Sequence, residues 1–370
     1  MSKITKNDLL KTAEEAIGKL ANKDFNVYFF VMDTKGNPST MLEYIYDTAI
    51  VIKDMGYKVT MLHQEKDFVG VGDWLGEEYA NLPHANIEDK NVMVGPSDFL
   101  FVPDIFSNVL MQTVKLTCKR VVIVQNADNL TEFMPVHQTM DTMKVIDAIV
   151  IDERQGAKLN KWFPDVRTHI VSPCVKSMYR DGDQPRKLII NVISPDQSMI
   201  NKLIKPFYWT NPMYKWVSFR DLRGLPRDML ADSLRGNAMT IWMDDDNPFG
   251  LELLEALRCG SLVLAKVPKN PASWMLSEDG SLADKIIWFD DFETVADNLG
   301  NLIRTWTLDQ VEKSIYDGQQ KISGSYGEDR MKREIEYAYV RSLFEKRLEE
   351  FKLAKADVEN NVIKPKEDGE

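Results

Sequence analysis

Asp244-Asp245-Asp246-Asn247-Pro248 follows the apolar run Met239–Met243, and the helical pattern that starts there closes at Gly260. Asn247 is a good N-cap, Pro248 suits the first helical position, and Gly260 sits where a C′ glycine belongs. At such a strand-to-helix junction the free N–H groups of Phe249, Gly250 and Leu251 form an anion site, and Gly250 lets a phosphate approach the main chain closely. Glu255, about two turns further on, is placed to take both hydroxyls of a ribose, as the acidic residue of dinucleotide-binding folds does. The plain alternative is a capped packing helix with Glu255 in solvent.

A diphosphate needs more positive charge than a helix terminus, worth roughly 0.3–1 kcal/mol per nearby charge, can supply. Arg220 and Arg223 follow the run Trp216–Phe219 and so share the ligand-binding end of a sheet with Asn247. Lys202 and Lys205 are further sources of charge. In the first half, Thr34–Pro38 follows the first strand, and Gly36 there allows close approach of a phosphate or an acceptor. Gln125, Asn126 and His137 follow Val124, and any of them can orient a hydroxyl or assist its deprotonation. Surface charge or an ordinary turn is the competing reading for each. His63, His84 and His169 lack metal-ligand spacing, and no G-x-S-x-G or Walker sequence occurs.

The elements that must position these residues alternate. Asn7–Leu20 has the spacing of an amphipathic helix. Phe25–Met32, a helix over Thr40–Met55 capped by Ser39 or Thr40, Gly56, and Lys58–Leu62 form one βαβ unit. Apolar runs at Phe99–Val102, Arg120–Val124 and Ala148–Ile151 extend a parallel sheet. A second series runs through Leu188–Ile193, Trp216–Phe219, Met239–Met243, Ser261–Lys266 and Ile286–Phe289. A charged helix from Glu328 to about Ala354 carries Ile335, Tyr339, Leu343 and Phe344 at helical spacing. The expected architecture is α/β with two Rossmann-like doubly wound domains facing a cleft. The first spans residues 1–175 and the linker 176–186; the second spans 187–326, followed by a crossover helix at 327–354 and a charged tail at 355–370.

The chain of 370 residues is long enough for two such cores. Its formal charge of −11 disfavours broad attraction to nucleic acid or to an anionic bilayer. Cys118, Cys174 and Cys259 are odd in number and far apart, which argues against a disulfide framework or a zinc site and for a reducing cytoplasm. The segment Met1–Asp24 lacks the apolar core of a signal peptide, and no apolar run reaches the ~18 residues of a membrane span.

Pro248–Gly260, with the preceding run from Leu225 to Met243, resembles the donor-binding core of retaining GT-B glycosyltransferases of the group 1, family-four type. Their pattern runs Glu-x-Phe-Gly-Leu-x-x-Leu-Glu-Ala, then a Gly and a strand. Phe249, Gly250, Leu251, Leu254, Glu255 and Ala256 match it, and Gly56-Tyr57-Lys58-Val59 resembles the entry to a first-domain strand. The resemblance implies a metal-independent hexosyltransferase. Its nucleotide-sugar donor is a substrate, and no separate cofactor is expected. The acceptor is a sugar, glycan or other hydroxyl compound. It puts the donor ribose on Glu255 and sets the position of the sugar-side Glu on Asn247, which with His137 is a candidate catalytic residue. It also implies an Arg and a Lys after the first strand of the second domain, where Ile193-Ser194-Pro195-Asp196-Gln197 has neither, leaving Lys202 and Lys205 as substitutes. Asp244-Asp245-Asp246 is similar to the metal-holding aspartates of the other major glycosyltransferase fold; favourable placement ahead of a helix dipole is the preferred reading. Two rivals stand beside transfer: a non-catalytic protein keeping the scaffold, and a DNA-base glucosyltransferase.

Overall fold

The computed structural model describes residues 6–90, 92–182, 186–305, 318 and 325–360. Parts of the expected linker (183–185), second domain (306–317 and 319–324) and tail (361–370) lie outside them. Helix α1 (Lys6–Ala21) leads into β1 (Asn26–Phe30), α2 (Thr40–Asp54) and β2 (Lys58–His63). Short helices α3 (Gly72–Leu75) and α4 (Glu77–Ala80) precede β3 (His84–Asn86). Then follow β4 (Phe99–Pro103), α5 (Ser107–Gln112), β5 (Lys119–Val124), α6 (Asp128–Phe133), β6 (Asp147–Val150), α7 (Glu153–Trp162) and β7 (Arg167–Ile170). These strands form one parallel sheet in the order β3-β2-β1-β4-β5-β6-β7. Its inner strands are buried nearly throughout, which is why they read as unbroken apolar runs.

The second series comprises β8 (Lys187–Ile193), α8 (Gln197–Thr210), β9 (Ser218–Asp221), α9 (Arg227–Gly236) and β10 (Asn237–Trp242). It continues with α10 (Leu251–Arg258), β11 (Leu262–Lys266), β12 (Ile287–Phe289) and α11 (Phe292–Thr305). The second sheet is also parallel, in the order β12-β11-β10-β8-β9. Strand order reverses between β1 and β4 in one sheet and between β8 and β10 in the other, so each has a crevice at its carboxyl ends.

The chain then returns. Helix α12 (Glu328–Ile335) continues through a π-helical stretch (Glu336–Glu345) into α13 (Lys346–Asn360). Phe344 packs on Phe25 and Phe99 at ring-centroid distances of 5.2 and 4.6 Å, and Tyr339 packs on Phe101 at 4.8 Å. The terminal helix thus buries its apolar face on the first sheet. All four residues picked out by its spacing are buried, and it runs to Asn360, beyond the expected end near Ala354.

Other elements also differ from expectation. Strand β9 lies at 218–221, not 216–219, and Trp216 is 62% exposed. The three-residue β3 was too short to leave a pattern. Helix α10 starts at Leu251, not Pro248: Gly250 adopts a left-handed conformation (φ 61°, ψ 52°), and the Asn247 side chain accepts the N–H groups of Phe249 and Gly250. That turn competes with the first helical residues and wins.

Candidate active site

Loops at the carboxyl ends of both sheets meet in a cleft with two lobes. The larger, about 550 Å³, is lined from the first sheet by Thr40, Met41, Gln125, Asn126 and Asn129, and from the second by Asp244, Asn247, Phe249, Leu251 and Asn270, among others. The smaller, about 300 Å³, is lined by Asn37–Thr40, Ile193–Pro195, Leu222–Leu225, Arg227, Asp244 and Glu252. Thr40 and Asp244 belong to both lobes, so the lobes meet there. Ser39 caps α2 by accepting the Leu42 N–H at 3.4 Å, which sets the Thr40 edge.

The larger lobe is held from below by Asp104, a fully buried residue that sequence patterning passed over. Its carboxylate accepts the backbone N–H groups of Gln125 and Asn126, both at 2.9 Å, and the side-chain amide of Asn129 at 3.2 Å. Burial pushes its carboxyl up to about 6, against the pull of these hydrogen bonds. Asp104→Asn turns an amide N–H₂ toward this donor set. Loss of a charged hydrogen bond there costs roughly 1.5–3 kcal/mol. The expected result is a lower unfolding midpoint and faster amide exchange at residues 125–129; unchanged exchange would refute the support role.

Contacts across the domains close one side of this lobe. Asn270 of the second domain donates to Asp128 and accepts from Lys158 at 3.4 Å, and Lys158 in turn pairs with Asp128. The Ser273 N–H and hydroxyl reach Asp152 at 3.2 and 3.1 Å.

The smaller lobe backs onto a buried ionic network. Arg227, at the start of α9, lines the lobe and pairs with Glu43 of α2 and, at 3.6 Å, with Glu255 of α10. Lys176 meets Glu43 at 2.8 Å and Asp47 at 3.1 Å, and Asp47 accepts the Tyr79 hydroxyl at 2.7 Å. Arg227 is 5% exposed and Glu43 and Glu255 are each 1% exposed, so these charges are out of water. Burial raises the Glu255 carboxyl, with Arg227 and Lys176 opposing.

The residues singled out by sequence separate accordingly. Asn247, Phe249 and Leu251 line the larger lobe, but the amides of Phe249 and Gly250 already serve Asn247, so they are not free for a phosphate. Glu255 is neither solvated nor on either lobe's lining; Glu252, one turn earlier, lines the smaller lobe. Arg223 is in that lobe, bound to Asp221 and Gln197. Arg220 is exposed on the edge strand and outside both linings. Lys202 and Lys205 line a separate hollow beside Trp209 on α8. His137 is exposed and outside both linings. Gly36 has φ 77° and precedes the Asn37–Thr40 rim. Of the three aspartates, Asp245 pairs with Lys266 and Asp246 with Lys269, while Asp244 faces the lobes. Arg227 and Lys176 were missed, one inside the motif-bearing segment and one in a stretch read as polar linker.

No protein-family model matches the chain, and no curated protein matches it by sequence. Solved structures do match by fold. Sucrose-phosphate synthase from Thermosynechococcus elongatus is 9% identical, with 87% of this chain and 100% of that one covered and a TM-score of 0.59. HepE from Anabaena, solved in complex with UDP-glucose, is 11% identical, with 86% and 100% covered and a TM-score of 0.62. TarM is 9% identical, with 88% and 98% covered and a TM-score of 0.59. The architecture is therefore GT-B: two Rossmann-like doubly wound domains facing a cleft.

Proposed function

We propose that the protein transfers a sugar from a nucleotide-sugar donor to a hydroxyl acceptor. The observation that carries this reading is the two-lobed cleft. Its smaller lobe offers two arginines to a diphosphate and Glu252 to a ribose, with Asp244 as a second acidic residue, and the larger one offers amides to hydroxyls. Arg223 and Arg227 face the diphosphate, and Glu252 takes the ribose hydroxyls, with Glu255 orienting Arg227 from behind. Asn247 sits on the sugar side. The acceptor oxygen bonds to the anomeric carbon as the bond from that carbon to the diphosphate breaks. The nucleoside diphosphate leaves with the electron pair and takes up the hydroxyl proton. Retention, which the sequence resemblance implies, fits a proton passed to the leaving group.

A donor panel headed by UDP-sugars tests the reading, with slow donor hydrolysis or transfer as the expected result. Neither binding nor turnover of any nucleotide sugar would sink it in favour of a scaffold protein. Losing charged hydrogen bonds in Glu252→Ala weakens donor binding by roughly 10- to 150-fold, about 1.5–3 kcal/mol. Calorimetry showing unchanged affinity would remove Glu252 from the site.

Asp244 makes donor binding pH-dependent. Its carboxyl is pushed up to about 6, first by burial and then by Glu252 and Asp246. Below that pH it is neutral; above it, it is an anion facing the diphosphate, whose own charge is constant there. Donor affinity is expected to fall by roughly 3- to 10-fold between about pH 5 and about pH 7.5. Asp244→Asn should abolish that dependence, and a variant that keeps it would refute the assignment.

A further inference from the structure

The lining of the larger lobe narrows the acceptor, and this step rests on the transfer reading above. Five carboxamides, Gln125, Asn126, Asn129, Asn247 and Asn270, face one space of about 550 Å³. Each also bonds within the chain, but an amide has two N–H groups and two oxygen lone pairs, so each keeps capacity that a sugar hydroxyl can use and a lipid chain or an aromatic acceptor cannot. Bonds within the chain place them: Gln125 donates to the Met41 carbonyl, Asn126 accepts the Asp128 N–H, Asn129 donates to buried Asp104, Asn247 accepts the Phe249 and Gly250 N–H groups, and Asn270 is held between Asp128 and Lys158.

The charge of the lobe is one-sided. Asp128, Glu132, Asp244 and Asp246 line it, against Lys269 as the lining cation. Lys269 is paired with Asp246, and Lys158, which is not part of the lining, is paired with Asp128. Glu132 and Asp244 are left without a cation in these pairings, so a phosphate or carboxylate on the acceptor would meet their repulsion.

We propose that the larger lobe selects an uncharged polyhydroxy acceptor, a saccharide with neighbouring free hydroxyls, over an anionic acceptor such as a nucleic acid strand or a lipid phosphate. The carboxamides bind and orient its hydroxyls, and the unpaired carboxylates exclude anions. The acceptor hydroxyl that reaches the junction at Thr40 and Asp244 is the one glycosylated.

The test uses the full chain and a donor already seen to bind. Neutral oligosaccharides are compared with the same saccharides carrying a uronate or phosphate, and with single- and double-stranded DNA. Binding is read by saturation-transfer NMR and transfer by product mass. Neutral saccharides should bind and should exceed their anionic counterparts by roughly ten-fold or more in kcat/KM, a gap that narrows as salt rises. Glu132→Lys should shrink the gap by raising kcat/KM for the anionic acceptors, which a purely structural Glu132 would not do. Preference for the anionic saccharides, or modification of DNA, would overturn the acceptor assignment while leaving glycosyl transfer standing. Donor hydrolysis without binding of any neutral saccharide would do the same. Failure of every nucleotide sugar to bind overturns the transfer reading itself, and the acceptor assignment with it.

Discussion

Replacing Arg227 with methionine should lower the unfolding midpoint by roughly 6–20 °C, corresponding to about 3–5 kcal/mol. The guanidinium is 5% exposed and stands between Glu43 and Glu255, each 1% exposed. Its removal strands the Glu255 carboxylate where water cannot reach it and takes one of two cations from Glu43. Lys176 still meets Glu43, but Glu255 has no other ion pair among the described residues. The sign with pH follows. Burial raises the Glu255 carboxyl in the folded chain, and loss of Arg227 raises it further, so the folded state binds its proton more tightly than the unfolded state. The damage therefore shrinks as pH falls toward the acid range and is full above the raised value. A triple variant, Arg227→Met with Glu43→Gln and Glu255→Gln, should recover most of the midpoint. A triple variant no more stable than the single one would refute the charge explanation. Donor affinity should stay low in both, because Arg227 also lines the smaller lobe.

That network marks the limit of what the chain's pattern discloses. Strands such as β4 and β5 are legible because both faces of a parallel sheet are covered, leaving short apolar runs between polar turns. Strand β9 is less so: it lies at the sheet edge with Ser218, Arg220 and Asp221 exposed, while exposed Trp216 adds apolar weight just ahead of it. The donor-side loop is legible because Asn247, Gly250 and Gly260 carry local backbone meaning, although the helix begins three residues later than its capping signals suggest.

Side-chain direction is not legible in the same way. Arg220, Lys202 and Arg227 are all cations close in sequence to the expected phosphate site, yet only Arg227 turns into the cleft. Its orientation is fixed by Glu43, 184 residues away in the other domain. A partner at that distance leaves no trace in spacing. The same holds for Lys176, whose polar surroundings in the chain suggested a linker, and whose partners Glu43 and Asp47 lie on α2. Asp104 was invisible for a related reason: its partners are backbone N–H groups of another loop, which no residue type announces.

Gly250→Val should destabilise the protein by about 2–5 kcal/mol and disorder the loop that lines the larger lobe. Two effects combine. The residue has φ 61° and ψ 52°, a conformation that costs an L side chain roughly 1–2 kcal/mol. A Cβ placed there would lie 2.6 Å from Met275 Cε and 3.0 Å from Leu253 Cδ1, and forcing extra carbon into such a space costs typically ~1–3 kcal/mol. Gly280→Val separates the two, because Gly280 has φ 83° but no atom within 4 Å of the point its new Cβ would occupy, so the backbone cost of the same side chain remains without the clash. If both variants lose the same stability, the packing contribution at Gly250 is absent. A larger loss at Gly250 means that the turn is fixed from both sides, by the Asn247 side chain on its amide and by Met275 and Leu253 against its α-carbon. In that case a drop in acceptor binding and transfer should accompany the loss of stability, since Asn247, Phe249 and Leu251 line the larger lobe only while Gly250 keeps its left-handed conformation.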